Sequence, residues 1–165
     1  MGNLIPIIDQ ILLCAFIFSV GMGIGGGLYE SRAVYPNWTN DPTPEGLTNK
    51  LISSGQAAAA RRYWPLITPA SALLAMINAF LAWGHTGAIR DLWLMSSISI
   101  IFKSIGTAGY FAPTYMRRIS KPESMDAPTL RRVVRTWSRL SPTRVLVEVF
   151  AWITGIWALL LSMRT

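Results

Sequence analysis

Residues 4–28 read LIPIIDQILLCAFIFSVGMGIGGGL, and their interpretation decides the fold. Gly21, Gly23 and Gly26 reproduce the GxGxxG spacing by which a dinucleotide-binding fold brings a pyrophosphate onto a helix N-terminus. That fingerprint has meaning only after a short buried strand and at the opening of a helix. Here an apolar run from Leu4 to Val20 precedes it, too long for a strand and most of what a helix needs to cross a bilayer. The glycines therefore close a membrane helix, and no nucleotide partner is expected. Gly21 with Gly25, and Gly23 with Gly27, make overlapping GxxxG pairs, read as a surface along which another helix approaches closely.

Working outward, residues 63–83, 92–112 and 145–163 repeat this apolar character, each near the roughly 20 residues that span ~30 Å of hydrocarbon. Hydrophobic residues make up 52% of the 165 and charged ones only 14%, and the stretches lack the Lys and Glu stripes of a soluble bundle. Alternating ten-residue strand patterns are missing, so helices are the spanning element. The expectation is an all-α, polytopic membrane protein: one domain over residues 1–165, a four-helix transmembrane bundle with spans at about 4–28, 63–83, 92–112 and 145–163. The first span reads as retained, since it lacks a basic leader, carries Asp9 and shows no small-residue cleavage pattern.

Basic residues set the expected orientation. Arg32, Lys50, Arg61 and Arg62 lie between spans one and two, and Arg117, Arg118, Lys121, Arg131, Arg132, Arg135, Arg139 and Arg144 between three and four. The other side has Arg90 and Arg164. The positive-inside rule then puts the long connections in the cytoplasm and both termini outside a cell (inner) membrane. A net charge of +7 follows from topology and from attraction to an anionic leaflet, without nucleic acid as a partner.

Within the last connection, PTLRRVVRTWSRL (128–140) sets Leu130, Val133, Val134, Trp137 and Leu140 opposite Arg131, Arg132, Arg135 and Arg139. This pattern predicts a basic amphipathic helix lying at the membrane surface, started by Asp126 and ended by Pro142. In the first connection, Pro36, Pro42, Pro44 and Gly46 speak against a long regular helix, and a short one is expected over 47–60.

Polar residues inside spans are expensive and face protein or a wet cavity, so their spacing is informative. Ser96, Ser99, Lys103, Gly106 and Tyr110 share one helical face; so do Thr68, Ser71, Asn78 and His85; so do Glu148, Trp152, Gly155 and Ser162; and Asp9, Phe16, Gly23 and Glu30 recur every seven residues. Lys103 and Glu148 fall roughly 13 and 6 Å from the same boundary, which predicts an ion pair between spans three and four. Tyr29, Glu30, Arg61, Arg62, Lys103 and Glu148 gather at the basic end; Asp9, His85, Arg90 and Asp91 gather at the other, with His85 read as an interfacial residue. Glu30, Lys103, Glu148 and His85 are the catalytic candidates. With one Cys and one His there is no usual zinc site and no cofactor is expected, while a His/Met haem or a bound quinone stays open as an alternative.

GGGLYESRAVYPNW (25–38), RRYWPLITPASALL (61–74) and RVLVEVFAWITGIWALL (144–160) together resemble small four-span membrane proteins related to the anthrone oxygenases. That resemblance implies oxidation of an apolar anthrone to a quinone by dioxygen without metal or flavin, a base removing a benzylic proton in a dry pocket. The positions it marks are Tyr29, Glu30, Pro36, Arg62, Trp64, Pro65 and Arg144; with Asn78 and Tyr110 these supply the pocket or packing candidates. The third span, ending YFAPTYMRR (110–118), departs from that family's Asn-containing pattern. The expected function is oxygenase-like chemistry on a lipid-soluble substrate in an intrabundle pocket; the alternative is a non-catalytic subunit packed against a larger membrane complex, or a homo-oligomer.

Overall fold

The computed structural model describes residues 7–40, 44–53, 55–119 and 121–164, and among them every regular element is helical. Leu4, Ile5 and Pro6 of the first expected span, and Pro42, lie outside the described residues. Helix α1 covers Ile7–Thr39, α2 Pro44–Ser53, α3 Gln56–Trp83, α4 Gly87–Ile119 and α5 Ala127–Ser162. All but α2 are long and apolar enough to cross a membrane. They close a ring: α1 packs on α3 and α5, and α4 packs on the same two. The chain is an all-α four-helix bundle of the multi-pass membrane kind.

The distribution of side chains explains why this ring forms in lipid. Phe18, Phe80, Trp83 and Phe102 stand on the outside, whereas Asn78, Ser96 and Ser97 are fully buried. With no hydrophobic force between helices in hydrocarbon, association depends on close packing and interhelical hydrogen bonds. Ser71, Ala75, Asn78 and Ala82 line the inner face of α3, as their spacing predicts. Asn78 Nδ2 donates to the Leu12 carbonyl of α1 at 3.2 Å, and its Oδ1 accepts from Trp93 Nε1 of α4 at 2.9 Å, so one amide ties three helices. Ser96 Oγ donates to the Ala151 carbonyl at 2.6 Å, linking α4 to α5. The α3–α4 turn is tight because Gly87 takes a φ of +70°, a conformation that favours glycine.

All four spanning helices are longer than the hydrocarbon is thick, and α1, α4 and α5 exceed it most. At 36 residues, α5 is about 54 Å long, against ~30 Å of hydrocarbon. The excess gathers at the basic end, where Val34, Tyr35 and Trp38 of α1, Leu47 of α2, Ile119 of α4, and Leu130, Val133, Val134 and Trp137 of α5 form a second core. This revises the reading of residues 128–140. They are helical and Asp126 caps them, accepting from the Thr129 N–H at 3.3 Å; hydrogen bonds from Thr129 hold the Asp126 carboxyl below the usual carboxylate range. However, the segment runs through Pro142 into the span, and Leu130, Val133, Val134 and Trp137 of its apolar face meet protein, while Leu140 stays exposed. Trp137, expected at the membrane surface, is 5% exposed for that reason, while Arg132, Arg135 and Arg139 remain outside.

The prolines also act differently from the expectation. Pro36 does not stop α1; the helix widens into a π turn at Glu30–Val34, with the Tyr35 N–H bonded to the Glu30 carbonyl. In α4 a second π turn, Thr107–Phe111, precedes Pro113 in the same way. A proline ring clashes with the carbonyl four residues back and cannot bond to it, and an extra residue in the preceding turn relieves that conflict. The widening also changes the helical phase beyond it, so Tyr110 leaves the inner face that Ser96 and Lys103 occupy and is exposed; Gly106, just before the widening, is exposed as well.

The glycines of α1 make room for side chains of the neighbouring helices. A Cβ on Gly23 would stand 2.7 Å from Glu148 Oε1, one on Gly27 2.6 Å from Val145 Cγ2, and one on Gly26 2.8 Å from the Tyr63 ring; Gly25 has nothing within 4 Å. Overpacking a filled site costs about 1–3 kcal/mol. Gly23→Leu is therefore expected to lower the melting temperature of the protein in nanodiscs clearly, and Gly25→Leu to leave it near wild type, as read by thermal unfolding of the two variants side by side.

Candidate functional site

The chemistry concentrates at the joint between the membrane bundle and the second core. Lys103, on the inner face of α4, extends to Glu148 of α5 with Nζ 2.9 Å from Oε1, and the two side chains are 6% and 5% exposed. Gly23 of α1 supplies the space for that carboxylate. The pair expected from depth and face is present. Each charge is held because removing the other would leave an ion in a medium that cannot solvate it.

One turn along α5 from Glu148 is Arg144. Its guanidinium carbon lies 4.3 Å from the centroid of Phe111, 5.5 Å from Trp137 and 5.7 Å from Trp64, a cage built by α3, α4 and α5. Phe111 and Trp137 meet edge to face at 5.1 Å, which fixes the cage walls. Glu30, at the first residue of the π turn in α1, accepts from Trp64 Nε1 at 2.5 Å through Oε1 and from the Tyr35 hydroxyl at 2.7 Å through Oε2. Tyr63 rests on Gly26 and donates to the Met22 carbonyl at 2.7 Å, locking α3 onto α1 beside the site.

A groove of about 390 Å³ opens between α4 and α5. Ile98, Phe102 and Val147 give it an apolar floor; Ser99, Lys103, Thr143 and Arg144 give it polar groups. Phe102 is 69% exposed on the outer surface, so the groove faces the hydrocarbon. The arrangement offers an amine beside a carboxylate, a guanidinium on aromatic faces, and a lateral opening wide enough for a small molecule.

Other marked residues fall elsewhere. Tyr29 is 61% exposed, and Arg62 and Pro65 are exposed, so of the positions the resemblance marks Glu30, Trp64 and Arg144 meet in the site. Asn78 belongs to the packing network with Trp93. His85 is at the opposite end, about 21 Å away along α1 when counted from Asp9 to Gly23. There its Nε2 lies 3.2 Å from Asp9 Oδ2, and its ring stacks on Trp93 at 5.3 Å. Asp9 and His85, which the topology grouped at this end, do meet: the histidine side chain is 14% exposed and tied to the carboxylate. Arg90 pairs with Asp91 separately, on the surface. Among the described residues no three His, Cys, Asp or Glu side chains come together as a metal site.

Compared with known proteins, the chain matches no family model, no curated protein and no solved structure.

Breaking a buried pair by removing one partner costs about 3–5 kcal/mol, whereas replacing both by apolar groups of similar volume is often neutral. Lys103→Met is expected to destabilise the bundle by that amount in nanodisc unfolding, and Lys103→Met with Glu148→Leu to recover most of the loss.

Proposed function

We propose that the protein is a multi-pass enzyme of the cell membrane that takes an apolar, enolisable aromatic ketone sideways from the bilayer and oxidises it with dioxygen, without a cofactor, as the resemblance to the anthrone-oxygenase-related proteins implies. Its basic end is cytoplasmic by the positive-inside rule, and both ends of the chain are outside. The observation that carries the reading is a nearly dry Lys103–Glu148 pair at the wall of a groove open to hydrocarbon. Such a pair is costly to bury and well placed for proton transfer.

In this reading the substrate's rings lie on Ile98, Phe102 and Val147, with the reacting CH₂ group next to Lys103. Lys103 passes a proton to Glu148 and takes one from the substrate carbon, leaving an enolate whose oxygen faces the cationic wall. The carbanion carbon forms a C–O bond to dioxygen, which also dissolves in the lipid. The resulting peroxide takes a proton back. Loss of the remaining C–H proton and cleavage of the O–O bond release water and leave a carbonyl. The carbon is oxidised by four electrons, one oxygen atom enters the product and the other leaves as water, so no further reductant is required.

Protein in nanodiscs supplied with anthrone under oxygen should form quinone, followed by absorbance, well above empty nanodiscs. The Lys103→Met, Glu148→Leu double variant should fold and fall to background. A folded wild-type protein that performs no better than empty nanodiscs contradicts the reading, and copurification with a partner of fixed stoichiometry would then favour the role of a subunit.

A further inference from the structure

The groove holds two cations, and the structure treats them differently. Lys103 has Glu148 as its partner. Arg144 has aromatic faces and no acceptor: its Nε is buried without a hydrogen-bond partner, and among the described residues no carboxylate lies within ion-pair distance. The carboxylate on the same aromatic cluster, Glu30, has one oxygen on Trp64 and the other on Tyr35. A second buried donor in the cage, Trp137 Nε1, also lacks an acceptor. Cation–π contacts hold a guanidinium in place but leave its in-plane N–H groups unsatisfied.

We infer that Arg144 recognises an oxyanion on the molecule that occupies the groove, so that the site takes membrane-dissolved carboxylic or phenolic acids in preference to neutral molecules of the same shape. The inference rests on the groove being the ligand site of the proposed function, and it adds the ligand's charge. Phe111, Trp137 and Trp64 fix the guanidinium before any ligand arrives, and a fixed planar fork matches a carboxylate through two parallel N–H···O bonds. Thr143 stands next to it on the groove wall, but its hydroxyl donates to the Leu140 carbonyl at 2.6 Å, so the guanidinium is the group left to meet an anion there. The body of the ligand then lies toward Ile98, Phe102 and Val147, which face the lipid. A groove of about 390 Å³ suits a single fused-ring or single-chain acid.

The test compares anthracene-2-carboxylate with anthracene-2-methanol, which share a ring system and differ in charge at pH 7. Binding to wild-type protein in zwitterionic nanodiscs is read by quenching of tryptophan fluorescence, corrected with empty nanodiscs. The acid is expected to bind about tenfold tighter than the alcohol, the worth of a charge-assisted bidentate contact. Arg144→Gln should abolish the preference, read as the ratio of acid to alcohol affinity within the variant, and Arg144→Lys should retain part of it. Equal binding of acid and alcohol to the wild type overturns the inference without any variant having to fold, as does a preference that survives Arg144→Gln. Binding of neither probe overturns the groove as a ligand site as well. A protein that prefers the acid yet oxidises neither anthrone nor an anthrone carboxylic acid keeps this inference and loses the oxygenase reading.

Discussion

The structure depends on one interaction: Lys103 of α4 and Glu148 of α5, 2.9 Å apart and nearly without solvent, with the carboxylate lodged against Gly23 of α1. Two opposite charges on different helices leave little freedom of register in hydrocarbon, because a slip of one residue separates them and exposes both to lipid. Gly23 brings the third helix into the same arrangement, since any side chain there would occupy the place of the carboxylate. Asn78 performs a similar task at the far end with α1, α3 and α4. The bundle is thus pinned by polar contacts at two levels, and between them Leu13, Phe16, Val20, Ala75, Ile100 and Ala151 supply close packing.

The site owes its position to helices that are longer than the membrane is thick. Because α1, α4 and α5 continue past the bilayer, their ends build a second core, and the junction of the two cores lies where Glu30, Trp64, Lys103, Arg144 and Glu148 converge. The π turns at Glu30–Val34 and Thr107–Phe111 flank that junction. One begins at Glu30 and the other ends at Phe111, so the backbone irregularity that precedes Pro36 and Pro113 also sets the residues around Arg144. Wide turns of this kind often mark functional positions.

Much of this was legible in the sequence. Composition and run length indicated four spans, and a count of residues from the boundary put Lys103 roughly 13 Å deep and Glu148 roughly 6 Å, a difference that the long lysine side chain can bridge. The inner stripe of α3 followed from its spacing of small and polar residues. What escaped was long-range or depended on backbone phase. The Trp64 to Glu30 bond joins residues 34 apart, and nothing in either neighbourhood announces the other. Tyr110 kept an inner position only while α4 was taken as regular. The amphipathic pattern of residues 128–140 was correct as a helix, but a hydrophobic face does not state whether lipid or protein will cover it. Topology grouped His85 with Asp9, but a polar residue in a turn does not announce that its ring is buried against that carboxylate.

The central claim is that Lys103 and Glu148 are directly paired inside the folded bundle. Solid-state NMR of the protein in lipid bilayers, with the Lys103 side-chain nitrogen and the Glu148 carboxyl carbon labelled, measures the dipolar coupling between the two. The account predicts a strong coupling, as the 2.9 Å contact between Nζ and Oε1 requires. Absence of that coupling, in a sample whose Asn78 and Trp93 signals report an intact bundle, would contradict it.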